Sequence, residues 1–171
     1  VGPLARMIVG VARKDEKISK YVTDFLKNGN LPLKVLFSTV GRTAARAIET
    51  EMMCAEIIKW SDELASNVAH GDLSTWTEFD FDSVSKDAQG YGMAEAPRGG
   101  LGHWIKIKDG KVENYQAVVP STWNAAPKDY KNRMGAYEAS LVGTKVVDPD
   151  MPLEILRTIH SFDPCIACAV H

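Results

Sequence analysis

The residues with the most chemistry lie together at one end of the chain. They read Asp163-Pro164-Cys165-Ile166-Ala167-Cys168-Ala169-Val170-His171. Two thiols separated by two residues fall at i and i+3, so a helical turn would set both sulfurs on one face, close enough to share a metal ion. His171 follows at i+6. Thiolate and imidazole are ligands for borderline and soft transition metals. Asp163 followed by Pro164 is a helix-start pattern, and a helix N-terminus favours the thiolate that metals bind.

Other chemistries compete for this cluster. A redox Cys-x-x-Cys normally follows a strand early in a βαβ unit, which is not the setting here. Haem attachment needs histidine directly after the second cysteine. Structural zinc needs four ligands, and Cys54, His70, His103 and His160 form no second pair with finger-like spacing. Metal binding is the preferred reading, with redox chemistry and plain structural cysteines as alternatives. Three cysteines make a disulfide framework an unlikely architecture. Cys54 reads as a small buried apolar residue, and His103 and His160 as structural.

The elements that must position this cluster are partly legible. Residues 15–28 have a helical apolar face (Ile18, Val22, Phe25, Leu26), with Gly29 as a left-handed stop. Residues 40–69 form a longer helix on Ala44, Ala45, Ile48, Met52, Ala55, Ile58 and Leu64, with Thr39 as N-cap and Gly71 beyond its end. Residues 71–102 read as a long loop, rich in glycine and carrying Asp72, Glu78, Asp80, Asp82 and Asp87. Asp109-Gly110 between two β-prone runs marks a hairpin over 103–119. Pro120 to Asn124 ends that strand. Short helices are expected near 136–142 and 151–161, the second capped by Asp150. The expected fold class is α+β, a single unit over 1–171: helical in 1–70, a loop in 71–102, then a small hairpin or sheet and the metal-binding C-terminus.

Composition adds limits. The chain has 171 residues, 45% of them hydrophobic, and a formal charge of −2 from 20 basic and 22 acidic side chains. So balanced a surface gives no reason to expect nucleic acid. No apolar run approaches the roughly 18–20 residues that span a bilayer, and no signal-peptide pattern opens the chain. The first residue is Val1, which suggests a processed chain or a piece of a longer one.

Five segments then resemble, in order, one family: Glu95-Ala96-Pro97-Arg98-Gly99, Val118-Val119-Pro120-Ser121-Thr122-Trp123-Asn124, Tyr137-Glu138-Ala139-Ser140-Leu141, Leu153-Glu154-Ile155-Leu156-Arg157 and the Asp-Pro-Cys-x-x-Cys-x-x-His ending. Together with Val1-Gly2-Pro3-Leu4-Ala5-Arg6, they look like the C-terminal part of a nickel–iron hydrogenase large subunit, the membrane-bound uptake group above all. The resemblance implies an oxidoreductase that cleaves dihydrogen heterolytically at a nickel–iron centre carrying cyanide and carbon monoxide. It implies Cys165 as a terminal nickel ligand and Cys168 as the bridge to iron. His171 and the Ala117 carbonyl would bind a magnesium-like ion. Arg98, with Pro97 beside it, would hang over the metals and be held by Asp163, and Pro120 and Ser121 would line the cyanide pocket. Cys165 or Arg98 would serve as the proton acceptor.

One departure matters. The family draws two further nickel ligands from a second Cys-x-x-Cys near its N-terminus, and this sequence has none. The resemblance therefore implies a chain active only with that N-terminal part and with a small subunit carrying iron–sulfur clusters. Such enzymes sit on the outer, periplasmic face of the cytoplasmic membrane through that small subunit. A non-enzymatic metal-binding or assembly module built on the same Cys/Cys/His cluster is the alternative.

Overall fold

A computed structural model describes residues 1–80, 83 and 85–170. Three helices lead. α1, Pro3–Ala12, starts with proline in its first turn and buries Met7. Lys14 turns the chain at φ 60°, and the Asp15 carboxylate then accepts from the Ile18 N–H at 2.8 Å to cap α2, Glu16–Asn28. The left-handed stop after α2 falls on Asn30 (φ 50°), while Gly29 keeps right-handed geometry at φ −89°. A short 3-10 turn, Leu33–Phe37, leads to α3, Thr39–Ala69. Ser38 rather than Thr39 caps α3, its Oγ accepting from the Gly41 N–H at 3.0 Å. At Gly41 the helix meets the Val35 and Leu36 backbone so closely that a Cβ has no room.

The core is made where these helices meet. Met7, Val22, Leu36, Ala45, Ile48 and Met52 are buried, and Leu4, Ile8, Ile18 and Phe25 pack around them. Burying such side chains is worth about 1.5–3 kcal/mol each. Only the first half of α3 takes part. Its second half exposes Ile57, Ile58, Trp60, Leu64 and Val68. Cys54, expected to be buried, is exposed there as well.

A three-stranded antiparallel sheet follows, in the order β1 (Ala88–Ala96), β2 (Gly99–Lys108), β3 (Lys111–Val118). The β2–β3 turn is Asp109-Gly110, both left-handed at φ 50° and 74°, as a two-residue hairpin requires. β1 corrects the expectation of a loop through residue 102. Its Gly90 and Gly92 and its small alanines give little strand signal, yet its backbone pairs with β2 from Ala88↔Ile107 to Ala96↔Gly99. Residues 71–80 do lack regular structure. Phe81, Asp82 and Val84 lie outside the described residues, so that part of the expected loop, with its Asp82, is not described.

The remaining chain folds as short helices: α4 (Pro120–Ala125), α5 (Ala136–Leu141), α6 (Leu153–His160) and α7 (Ile166–Ala169). Pro120 begins a helix rather than simply ending the strand. Pro152, not Asp150, occupies the position before α6, and no side chain caps that helix. Asp163 is left-handed at φ 55°, and α7 starts only at Ile166, with Cys165 before it. The helix start expected at Asp163-Pro164 is thus displaced by about two residues.

Candidate metal centre

Pro97 and Arg98 form the turn between β1 and β2, where Ala96 pairs with Gly99. Gly99 takes φ +132°, and a Cβ there would lie 2.6 Å from the Gly2 nitrogen, so the turn sits hard against the start of the chain. From it the Arg98 side chain reaches the C-terminal segment. Its Nε donates to the Asp163 carbonyl at 2.8 Å, and Nη2 to Asp163 Oδ1 at 3.2 Å. Nε also lies 3.0 Å from Oδ2, an ion pair with both side chains about two-fifths exposed. The left-handed backbone at Asp163 is what lets one residue offer carbonyl and carboxylate to the same guanidinium.

Two residues on, the Cys165 N–H donates to Ser121 Oγ at 2.9 Å. Ser121 is buried in the first turn of α4, directly after Pro120, and α4 packs against α7. Cys165 and Cys168 are joined as a disulfide with Cα atoms 5.3 Å apart. This bridge closes a four-residue ring and links no separate elements. The structure thus brings Pro97, Arg98, Pro120, Ser121, Asp163, Cys165 and Cys168 into one region. Ala117 lies on β3 opposite His103, one residue before the strand ends. His171 lies outside the described residues.

The donor set fits a metal in part. Reduced, the two cysteines would offer two thiolates from one turn, the ligands suited to nickel and iron. Among the described residues no group of three or more His, Cys, Asp or Glu could hold a metal ion.

Residues that the sequence reading passed over hold this region together. Arg42 on α3 is nearly buried. Its Nε donates to Ser161 Oγ at 2.6 Å, and its guanidinium lies 4.4 Å from the centre of the Phe162 ring. Burial lowers its pKa. Arg46, one turn on, donates to the Ser161 carbonyl at 3.2 Å. Ser161 in turn donates to the Thr158 carbonyl at 2.6 Å. Arg6 on α1 grips Glu49 with Nε and Nη2 at 2.5 and 2.7 Å, Glu95 at 2.6 Å, and the Ala96 and Pro97 carbonyls at 3.0 and 2.9 Å. The hydrogen bond to Glu49, first among several effects, raises the Arg6 pKa. Arg42 did leave a signal: it falls three residues before Ala45 on the apolar face of α3, where an unpaired cation is out of place. Arg6 left none.

Tyr137 on α5 packs against Phe162 with the rings tilted by 54° and their centres 5.0 Å apart. Its hydroxyl is buried beside Ser121 without completing a hydrogen bond, and burial raises its pKa.

Comparison with known proteins places this arrangement. The uptake hydrogenase large subunit of Bradyrhizobium diazoefficiens is 53% identical over 173 residues, matching 100% of this chain and 29% of its own length. The quinone-reactive Ni/Fe-hydrogenase large chain of Wolinella succinogenes is 52% identical over 171 residues, with the same coverage of 100% and 29%. The chain thus spans under a third of the length of these relatives. Among solved structures, the [NiFeSe]-hydrogenase of Dm. baculatum superposes with a TM-score of 0.78 at 34% identity, covering 100% of this chain and 34% of the other. The model of nickel-dependent hydrogenases matches residues 1–171. From its first turn to its terminal cysteines, this chain belongs to the nickel-dependent hydrogenase family.

Proposed function

We propose that this chain is the metal-bearing C-terminal part of a hydrogenase large subunit that catalyses reversible heterolytic cleavage of dihydrogen. The observation that carries the reading is the Arg98–Asp163 pair, held beside Cys165 and Cys168 in a chain matched by the family over its whole length. That end-to-end match disfavours the alternative of a non-enzymatic metal-binding or assembly module.

In this reading the reduced Cys165 and Cys168 would hold the nickel–iron centre, Cys165 as a nickel ligand and Cys168 as a ligand shared with iron. His171 and the Ala117 carbonyl hold a magnesium-like ion. Pro120 and Ser121 would line the space for the iron's cyanide ligands, with Pro97 beside Arg98, and the iron would also carry carbon monoxide. The nickel–iron centre supplies, when bound, the electrophilic redox site at which dihydrogen is polarised. The chain's own residues do the rest. Asp163 fixes the Arg98 guanidinium by a carboxylate and a carbonyl, so that a planar cation faces the reacting space in one orientation. The Ser121 hydroxyl accepts the Cys165 N–H and fixes that residue's backbone. The Cys165 thiolate would accept the proton released from dihydrogen, whereas Arg98, as a cation paired with Asp163, could accept one only as the neutral guanidine.

Further nickel ligands come from the N-terminal part of the large subunit, and electrons leave through a small subunit bearing iron–sulfur clusters. Among the described residues no helix is long and apolar enough to cross a membrane. Attachment to the outer face of the cytoplasmic membrane through the small subunit is part of this reading, in keeping with the uptake and quinone-reactive relatives.

The test is elemental analysis and infrared spectroscopy of the complete large subunit with its small subunit. Nickel plus iron, with cyanide and carbonyl bands and dihydrogen uptake, is expected. Zinc alone would overturn the reading. Residues 1–171 by themselves are expected to show no turnover.

A further inference from the structure

Arg98 stands on a tight turn at the end of the exposed strand β1, and its own ion pair is about two-fifths exposed. Asp163 orients the guanidinium head, but an ion pair this exposed contributes little to holding the turn from which the side chain springs. Something must hold the turn that carries it. Inward from the turn lies Arg6, only about one-fifth exposed, with all three guanidinium nitrogens engaged. Two of them form a fork on Glu49 of α3. Nη1 and Nη2 continue outward to Glu95, at the end of β1, and to the carbonyls of Ala96 and Pro97. These are the residues that lead into Arg98. One side chain therefore joins α1 to α3 by two hydrogen bonds and to the end of β1 and its turn by three, none of them to a group placed in the metal centre except the Pro97 backbone.

The second wall of the site is tied to the same helix. Arg42 and Arg46 hold Ser161, two residues before Asp163. Glu49 follows Arg46 by three residues, about one turn of α3. The two partners of the Arg98–Asp163 pair are thus both referenced to one rigid segment, residues 42–49, through arginines that never touch the pair.

We propose that Arg6, anchored on Glu49, is a positioning residue for Arg98: it fixes the height and angle of the 96–98 turn relative to α3, and so sets where the Arg98 guanidinium stands. The inference rests on the role given to Arg98 above. A lysine at position 6 could keep the charge but not the fork, because an ammonium cannot bond Glu49 by two nitrogens while also reaching Glu95 and two carbonyls.

The experiment uses the complete enzyme with both subunits. In Arg6→Gln, nickel and iron content should stay at the wild-type level while kcat falls about 10- to 100-fold, the scale of an ångström-sized misplacement. The KM for dihydrogen should be unchanged. In crystal structures of the variant, the Arg98 guanidinium should stand farther from Asp163 than in the wild type. Arg6→Lys should restore little. The double variant Arg6→Gln/Arg98→Lys should lose no more than Arg98→Lys alone, because Arg6 acts only through Arg98. Should Arg6→Gln fail to assemble, Glu95→Gln removes one outer anchor and should cost about threefold, as an exposed ion pair does. Wild-type kcat in the assembled variants would overturn the proposal. So would losses that multiply in the double variant, or an unchanged distance between Arg98 and Asp163. If Arg98→Lys is itself without effect, the reading of the metal centre fails, and the crystallographic distance still decides whether Arg6 places Arg98.

Discussion

Replacing Arg42 by methionine tests how the C-terminal segment is held. Methionine keeps the apolar stem and removes, besides a long 3.4 Å hydrogen bond to Thr39 Oγ1, two stronger interactions. The first is the 2.6 Å bond to Ser161 Oγ, worth about 1.5–3 kcal/mol for a charged donor. The second is the cation–π contact with Phe162 at 4.4 Å, worth about 1–2 kcal/mol when desolvated. Against these stands the cost of burying the guanidinium, the same burial that lowers its pKa. Two features limit the damage further: Ser161 still donates to Thr158, and Arg46 still holds the Ser161 carbonyl. The net loss should be about 2 kcal/mol, which is about 30-fold in a local opening equilibrium. Hydrogen exchange on the complete large subunit reads this directly. The amides of Ser161, Phe162 and Asp163, bonded to Arg157, Ile159 and His160 at 3.0, 3.0 and 2.9 Å, should exchange about 30-fold faster. Those of the β2–β3 hairpin should not change. Unchanged protection at 161–163, or an equal rise in both regions, would refute the assignment of this clamp.

Three further outcomes are expected. In the complete enzyme, Cys168→Ala should abolish assembly of the metal centre, measured as nickel and iron per protein, because a bridging ligand serves both ions. Arg98→Lys should leave metal content intact and lower turnover, since a point charge cannot reproduce the planar fork that meets both acceptors on Asp163. Tyr137 should ionise later than an ordinary tyrosine in an absorbance titration, because burial disfavours its phenolate. Its folded pKa lies above the unfolded value of about 10, so the stability it contributes is present below that pH and is lost as pH rises through the folded pKa; Tyr137→Phe should remove the late transition.

Periodicity found α2 and α3 to within a residue or two because their apolar faces enter one core at Val22, Ala45, Ile48 and Met52. The β2–β3 hairpin was legible because Asp109-Gly110 has few other uses between two β-prone runs. β1 was missed for the opposite reason: its pairing is carried by backbone groups, and strand residues without bulky side chains look like loop. α1, with ten residues and a glycine inside, lacked a pattern long enough to read. At the site, the cysteines, Arg98, Asp163 and Ser121 were nameable because their side chains suggest chemistry or match motifs. Arg6, Glu49 and Ser161 matter through contacts that span 43 to 119 positions in sequence, and no local pattern encodes such a partner.

The distance between Arg42 and Ser161 along the chain, 119 positions, also sets an order in time. About 100 residues separate the end of the core-forming half of α3 from α6. At synthesis rates of about 5–20 residues per second, the seat on α3 precedes the segment that fills it by about 5–20 s. The burial of Arg42 against Ser161 and Phe162 can be completed only once that segment has been made. Closure of so long a loop comes late on entropic grounds as well. Changes in this clamp should therefore hasten release of the segment and leave the rate of forming the helical core nearly untouched.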